Sequence, residues 1–178
     1  MLTAARERRL SRRAARGDRR ALQSLYEEYS KQLFAVAYRL TESSADARDV
    51  LHDIFGDLPE MLRRFDGERP LGPWLRSVTA RVALRHVRSE RRRHETAIAG
   101  VPDEGEIVPS PEFPILESIA LERALSSLTE KLRTVVVLKE MEGYSHEEIA
   151  ELLQIERATS EGRLYKARKL LRAKLFER

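Results

Sequence analysis

EGYSHEEIAELLQIERATSEGRLYKARKLLRAKL, residues 142–175, reads as two helices joined by a tight turn. Ser145 followed three residues later by Glu148 is the pattern of a capping box. In it the hydroxyl and the carboxylate each accept a backbone N–H that the start of a helix leaves unpaired. Behind the cap Ile149, Leu152 and Leu153 recur at helical spacing, with small Ala150 where a second helix can cross closely. Gln154, Ile155 and Glu156 make the turn. The longer helix that follows is expected to bury Leu164, Ala167, Leu170, Leu171 and Leu175 on one stripe. Together these features predict a helix-turn-helix, whose second helix enters the DNA major groove through its first turns. Eight basic residues lie between Arg157 and Arg178, against Glu161 and Glu177. A basic polar face on an amphipathic helix accounts for the charge alone, but the capping box, the turn and the apolar rhythm favour a polyanionic partner.

The bulk properties agree with a helical nucleic-acid-facing protein. The 178 residues suffice for one large domain or two small ones, and the charged fraction of 35% beside a hydrophobic fraction of 42% allows helices with heavily solvated faces. The formal net charge of +4 is small, but it is unevenly placed. Cysteine is absent, which excludes disulfides and thiolate metal sites. No apolar run approaches the roughly 18 residues that suggest a membrane span. The basic N-terminus lacks the apolar core of a secretory signal. A cytoplasmic location without membrane insertion is expected.

Upstream, residues 1–20 hold eight arginines and two acids and read either as a basic arm or as the start of a helix. From Asp18 a helical pattern runs through Leu22, Leu25, Tyr26, Tyr29, Leu33, Phe34, Ala37 and Leu40. Thr41 to Ser44 breaks it, and Ser43 or Ser44 caps a further segment, 45–65, with Val50, Leu51, Ile54, Phe55, Leu58, Met61, Leu62 and Phe65 as its buried stripe. The opposite face carries Asp46, Asp49, Asp53, Asp57 and Glu60. Asp49, Asp53 and Asp57 stand four apart and repel one another, which a basic partner would relieve. Pro59 removes a helix hydrogen bond, so a kink or break is expected near Leu58. Phe65 to Leu75, FDGERPLGPWL, reads as a loop from its Asp66-Gly67 turn, two prolines and two glycines. Trp74 then opens a helix with Leu75, Val78, Val82, Leu84 and Val87 inward and seven arginines between Arg76 and Arg93. So dense a basic face fits phosphate contact.

Residues 95–117 contain six acids, no lysine or arginine, and four of the seven prolines. They are expected to form an acidic, proline-rich linker. The fold expected is therefore all-α, with a first helical domain over 1–94, the linker over 95–117, and a helix-turn-helix domain over 118–178. Helices over 119–128 and 129–141 support the latter.

DARDVLHDIF (Asp46–Phe55), RRFDGERPLGPWL (Arg63–Leu75) and ALSSLTEKLRTVVVLKEMEGYSHEEIAELL (Ala124–Leu153) resemble bacterial sigma factors of the extracytoplasmic-function group of the sigma-70 family. The resemblance covers the chain from about Asp18 to Leu175. It implies a protein that binds core RNA polymerase, through the β′ clamp helices and the β subunit, directs it to specific promoters and helps melt them. By resemblance Asp46, Asp49, His52, Asp53 and Asp57 form the polymerase-binding surface. Phe65, Asp66 and Gly67 resemble the segment that captures a flipped-out base of the minus-ten element, and Trp74, Arg76, Arg81, Arg85 and Arg88 belong to the helix that reads that element. In the recognition helix Thr159, Ser160 and Arg163 can reach base edges of the minus-thirty-five element, and Arg157, Lys166 and Arg168 can reach phosphates. Family members are often held inactive by an anti-sigma factor, which is a further implied partner.

The chain departs from the family pattern at several places. Pro59 replaces a usual aromatic, His52 a common glutamine, and Arg81 and Arg85 an asparagine and an aspartate. Glu156 stands in place of the customary capping serine. Glu161 sits where a carboxylate would repel phosphate, though it can accept a hydrogen bond from a cytosine amino group. A sigma-like regulator that binds polymerase or DNA without starting transcription is the alternative these departures motivate. A metal-binding helical enzyme is more remote. His86, Glu90 and His94 stand four apart, as do metal ligands on some helices, but the surrounding arginines would repel a cation. Asp49 and His52 are three apart, as in carboxylate-bridged metal bundles, without a matching second motif. No catalytic residue, metal site or cofactor is assigned.

Overall fold

The computed structural model describes residues 3–96 and 119–176, and the chain divides into two compact units, Met1–Val108 and Pro109–Arg178. Among the described residues every regular element is helical. In the first unit α1 spans Ala4–Ala14, α2 Arg19–Thr41, α3 Ser44–Arg64 and α4 Leu71–Thr96. In the second, α5 spans Ile119–Ser126, α6 Glu130–Val136 with a π-helical continuation over Val137–Met141, α7 His146–Leu153 and α8 Arg157–Phe176.

The basic N-terminal stretch is a helix rather than a loose arm. Its hydroxyl cap is Thr3, and only Leu10 and Ala14 are buried. Gly17, at φ +81°, turns the chain into Asp18, whose carboxylate caps α2 by accepting the N–H groups of Arg20 and Ala21 at 3.0 and 3.1 Å. Arg13 donates to the same carboxylate at 2.8 Å and, with the backbone donors, holds it below the usual carboxylate range. One residue thereby starts α2 and ties it to α1.

The α2 helix is the core of this unit and packs against α1, α3 and α4. Leu25, Leu33, Phe34 and Leu40 of α2, Ile54 and Leu58 of α3, and Leu71 and Leu75 of α4 are all essentially fully buried in this packing. Each such side chain contributes about 1.5–3 kcal/mol of transfer free energy. Ala80 and Ala83 let α4 approach closely, and Val78, Val82 and Val87 are only half-buried.

Two expectations about prolines are corrected. The α3 helix runs unbroken through Pro59, capped by Ser43, so of the kink or break expected near Leu58 the break does not occur. The α4 helix begins at Leu71 rather than Trp74. Pro73 falls in its first turn, where a helix has no partner for an N–H, so the proline costs nothing there. At its other end α4 continues through residues 95 and 96, which the composition break places in the linker; residues 97–117 of that linker lie outside the described residues.

In the second unit Val135, Val136, Val137 and Leu138 are all buried, with Leu125, Leu128, Ile149, Leu164 and Ala167 around them. Arg133 is buried as well, and its Nη1 donates to the Leu128 carbonyl at 3.1 Å.

Candidate nucleic-acid interface and acidic face

The helix-turn-helix forms as its local chemistry dictates. Glu148 N–H donates to the Ser145 hydroxyl at 3.1 Å, and the Glu148 carboxylate accepts the Ser145 N–H at 2.8 Å, which completes the capping box. Gln154 closes α7 in the left-handed conformation at φ 54°, and its N–H returns to the end of the helix. The turn then delivers Arg157 as the first residue of α8.

On α8 the buried stripe is Ser160, Leu164 and Ala167, with Leu171 half-buried. Leu170 lies off that stripe at 49% exposure, contrary to expectation, and the side chain of Leu175 lies outside the described residues. Ser160 is the more consequential correction. It has 0% exposure and its hydroxyl lies 2.9 Å from His146 Nδ1 of α7, so it locks the two helices together and reaches no base edge. Thr159 and Lys166 are exposed, with half-buried Arg163 between them at helical spacing on one flank.

The outer face of α8 holds Ala158, Gly162 and Tyr165. Tyr165 is 73% exposed and was given no role from the sequence. Its signal is its place off the Ser160–Leu164–Ala167 stripe. Apart from its chain neighbours and the helix's own backbone, nothing lies within 4 Å of where a Cβ on Gly162 would stand, so this face is open.

Arg157 is held by two carboxylates, Glu147 at 2.6 Å and Glu161 at 2.8 Å, which raise its already high pKa, Glu161 foremost. Arg168 pairs with Glu140 at 2.6 Å. Of the three expected phosphate contacts, Arg157 and Arg168 are thus engaged with acids, and Lys166 is exposed.

In the first unit Asp49, His52, Asp53 and Asp57 are all exposed along α3, about 6 Å of rise separating the aspartates in turn. Asp46 differs. It is half-buried with Oδ1 3.3 Å from His86 Nε2 of α4, a contact that joins the two helices. His86 therefore faces a carboxylate of α3, and the side chain of His94 lies outside the described residues.

The loop between α3 and α4 is built on Asp66, whose Oδ1 accepts the Glu68 N–H at 3.0 Å, and on Gly67 at φ +74°. Phe65 before it and Trp74 after it bring their rings to 4.6 Å. Arg81 and Arg85 are exposed on one side of α4, whereas Arg76 and Arg88 are half-buried and have partners.

Comparison with known proteins agrees with both units. Residues 25–93 match the family model for sigma-70 region 2, and residues 118–171 match that for sigma-70, region 4. RNA polymerase sigma-H factor of Pseudomonas aeruginosa is 28% identical over 96% of this chain and 94% of its own length. RNA polymerase sigma factor NccH of Alcaligenes xylosoxydans xylosoxydans is 30% identical over 93% of this chain and 92% of its own. Among solved structures, CnrH in complex with the cytosolic domain of CnrY is 27% identical, covers 97% of each chain and aligns with a TM-score of 0.53.

Proposed function

Because this chain belongs to the extracytoplasmic-function group of the sigma-70 family, whose members direct RNA polymerase to promoters, we propose a division of labour between its two units. The first unit binds core polymerase and opens the minus-ten element; the second reads the minus-thirty-five element. The protein acts as a transcription regulator by binding rather than by chemistry of its own. Core polymerase and promoter DNA are its partners, and the cytoplasm is where it meets them.

The observation that carries this reading is the outward face of α8. Ser160, Leu164 and Ala167 fix the helix from behind, while Thr159 and Lys166 on one flank, with half-buried Arg163 between them, and Tyr165 on the open face are presented outward. That is the side-chain set a helix needs to contact base edges and phosphates in a major groove. The exposed aspartate row of α3 supports a basic polymerase surface as partner, since each charge desolvated there would meet an opposite one. In the loop, Phe65 beside Trp74 supplies an aromatic platform suited to an unstacked base, and the exposed Arg81 and Arg85 suit the strand backbone. CnrH was solved with the cytosolic domain of CnrY, and an anti-sigma factor masking these surfaces is the corresponding partner proposed for this chain.

Run-off transcription by core RNA polymerase on genomic promoter fragments tests the reading. Specific transcripts that need this protein are expected, and their start sites reveal the promoter sequence. Failure to bind core polymerase would overturn the assignment of the α3 face.

A further inference from the structure

The α1 helix lies outside the region 2 match, which begins at residue 25, and nothing in the functional reading uses it. It nevertheless forms one wall of a cleft of about 740 Å³ whose other wall is the loop from Phe65 to Pro70. The face of α1 turned to the cleft bears Arg8 and Arg12, with Ser11 between them and Arg16 just beyond the helix end. Across from it stand Phe65, Asp66 and Arg69.

Most other charged groups of the cleft are already engaged. Arg63 donates through Nε to the Ala15 carbonyl at 2.9 Å and pairs with Glu60. Glu7 accepts the Leu71 N–H and the Tyr29 hydroxyl, each at 2.8 Å. The Asp66 carboxylate holds its own turn. Arg8, Arg12 and Arg16 are exposed and have no ion pair among the described residues, and within the cleft they face the single uncommitted carboxylate of Glu68. A solvated helix face does not by itself need a concave opposite wall. Here Arg8 and Arg12, about 6 Å of helical rise apart, and Arg16 just beyond the helix end border a cleft with an aromatic edge. A basic track beside an aromatic platform is the chemistry that holds single-stranded nucleic acid, the backbone on the cations and a base against the ring.

We propose that the cleft between α1 and the loop holds the sugar-phosphate backbone of the melted promoter strand, with Arg8, Arg12 and Arg16 as its phosphate contacts. The proposal rests on the reading of the loop as the melted-strand site and adds α1 to that site.

The test uses the full chain bound to core polymerase and two fork-junction DNAs. Both share the duplex through the minus-thirty-five element; one ends before the minus-ten element and the other carries its non-template strand as a single-stranded tail. The R8A/R12A/R16A variant is expected to bind the tailed DNA at least tenfold more weakly, with a salt slope smaller by about two, because three single-strand phosphate contacts release about 0.7 counterion each. It should bind the tailless DNA normally, and R8K/R12K/R16K should restore most of the loss. A matched thermal melt checks that the alanine variant is folded. Native binding of the tailed DNA by the alanine variant overturns the proposal and leaves the sigma reading standing. So does an equal loss on both DNAs, or a loss confined to core polymerase affinity, which would put polymerase against α1. If the native holoenzyme binds neither DNA, the parent reading fails, and the cleft proposal with it.

Discussion

The carboxylate of Glu7 accepts the backbone N–H of Leu71 at 2.8 Å, across 64 residues of chain. That N–H opens α4, so an acid from α1 does the capping that Pro70 cannot do. The other oxygen of Glu7 accepts the Tyr29 hydroxyl at 2.8 Å, which pins both helices to α2. Glu7→Ala would leave the Leu71 and Tyr29 donors unpaired and is expected to cost about 1–3 kcal/mol in urea unfolding. Glu7→Gln keeps an acceptor and should cost less.

Tyr29 is only 6% exposed, and its burial, followed by the hydrogen bond to Glu7, raises its pKa well above that of a free tyrosine. The unfolded chain therefore loses this proton at a lower pH than the folded one. The contribution is fully present below about pH 10 and falls, by up to about 1.4 kcal/mol per pH unit, as pH rises through the folded pKa. Urea titrations at pH 9 and 11 should show a steeper loss for the native protein than for Tyr29→Phe. Equal slopes would mean that the tyrosine is free to ionise in the folded state.

Ser160→Ala is expected to behave as a stability variant. It removes the hydroxyl beside His146 Nδ1 and should lower stability by about 1 kcal/mol while leaving promoter base preference as it was. Thr159→Ala should do the reverse. Thermal melts and selection of bound sequences from a random pool separate the two. A changed preference in Ser160→Ala would place position 160 at the DNA after all.

Reversing Asp49 and Asp53 to lysine is expected to weaken core polymerase binding at least tenfold at low salt, with stability unchanged to within about 0.5 kcal/mol because both are exposed. Surface-plasmon or fluorescence titration measures the first and denaturation the second. Unchanged affinity would remove the α3 face from the polymerase interface.

Arg163→Ala with Lys166→Ala should weaken duplex promoter binding, reduce its salt slope by about one through the lost Lys166 phosphate contact, and relax base preference through Arg163. Glu161→Gln should raise affinity for unrelated duplex DNA and narrow the gap between specific and unrelated sites, since it removes the carboxylate that repels phosphate. A gap that stays as wide would show that Glu161 takes no part in discrimination.

The helix-turn-helix was legible because its determinants are local: Ser145 and Glu148 sit three apart, and the turn falls between two apolar stripes. The burial of Ser160 was legible in principle, since 160, 164, 167 and 171 share one side of a helix, but a polar residue in the first turn draws attention as a DNA contact. Leu170 misled for the opposite reason, being apolar in a position the stripe does not include. The role of Glu7 had no sequence signal, because its partner is a backbone group 64 residues away. The start of α4 was hidden by Pro70 and Pro73, which look like loop residues until their positions relative to the first turn are known. The α1 helix was obscured by its own charge, with only Leu10 and Ala14 to report its buried side.

After Val136 the helix widens, and the Glu142 N–H reaches back five residues to the Val137 carbonyl at 3.0 Å, the Tyr144 N–H six to that of Leu138. A turn of this kind takes up one residue more than an α turn does. Its extra residue therefore works as slack in the angular register. Removing a single residue there would let the turn close as an ordinary α turn and leave Ser145 and Glu148 in nearly the same rotational place, whereas a deletion in the α-helical part of α6 would turn everything that follows by about 100°. A one-residue deletion between 137 and 141 would then be tolerated where the same deletion between 130 and 136 would re-aim α8 without altering any side chain on it.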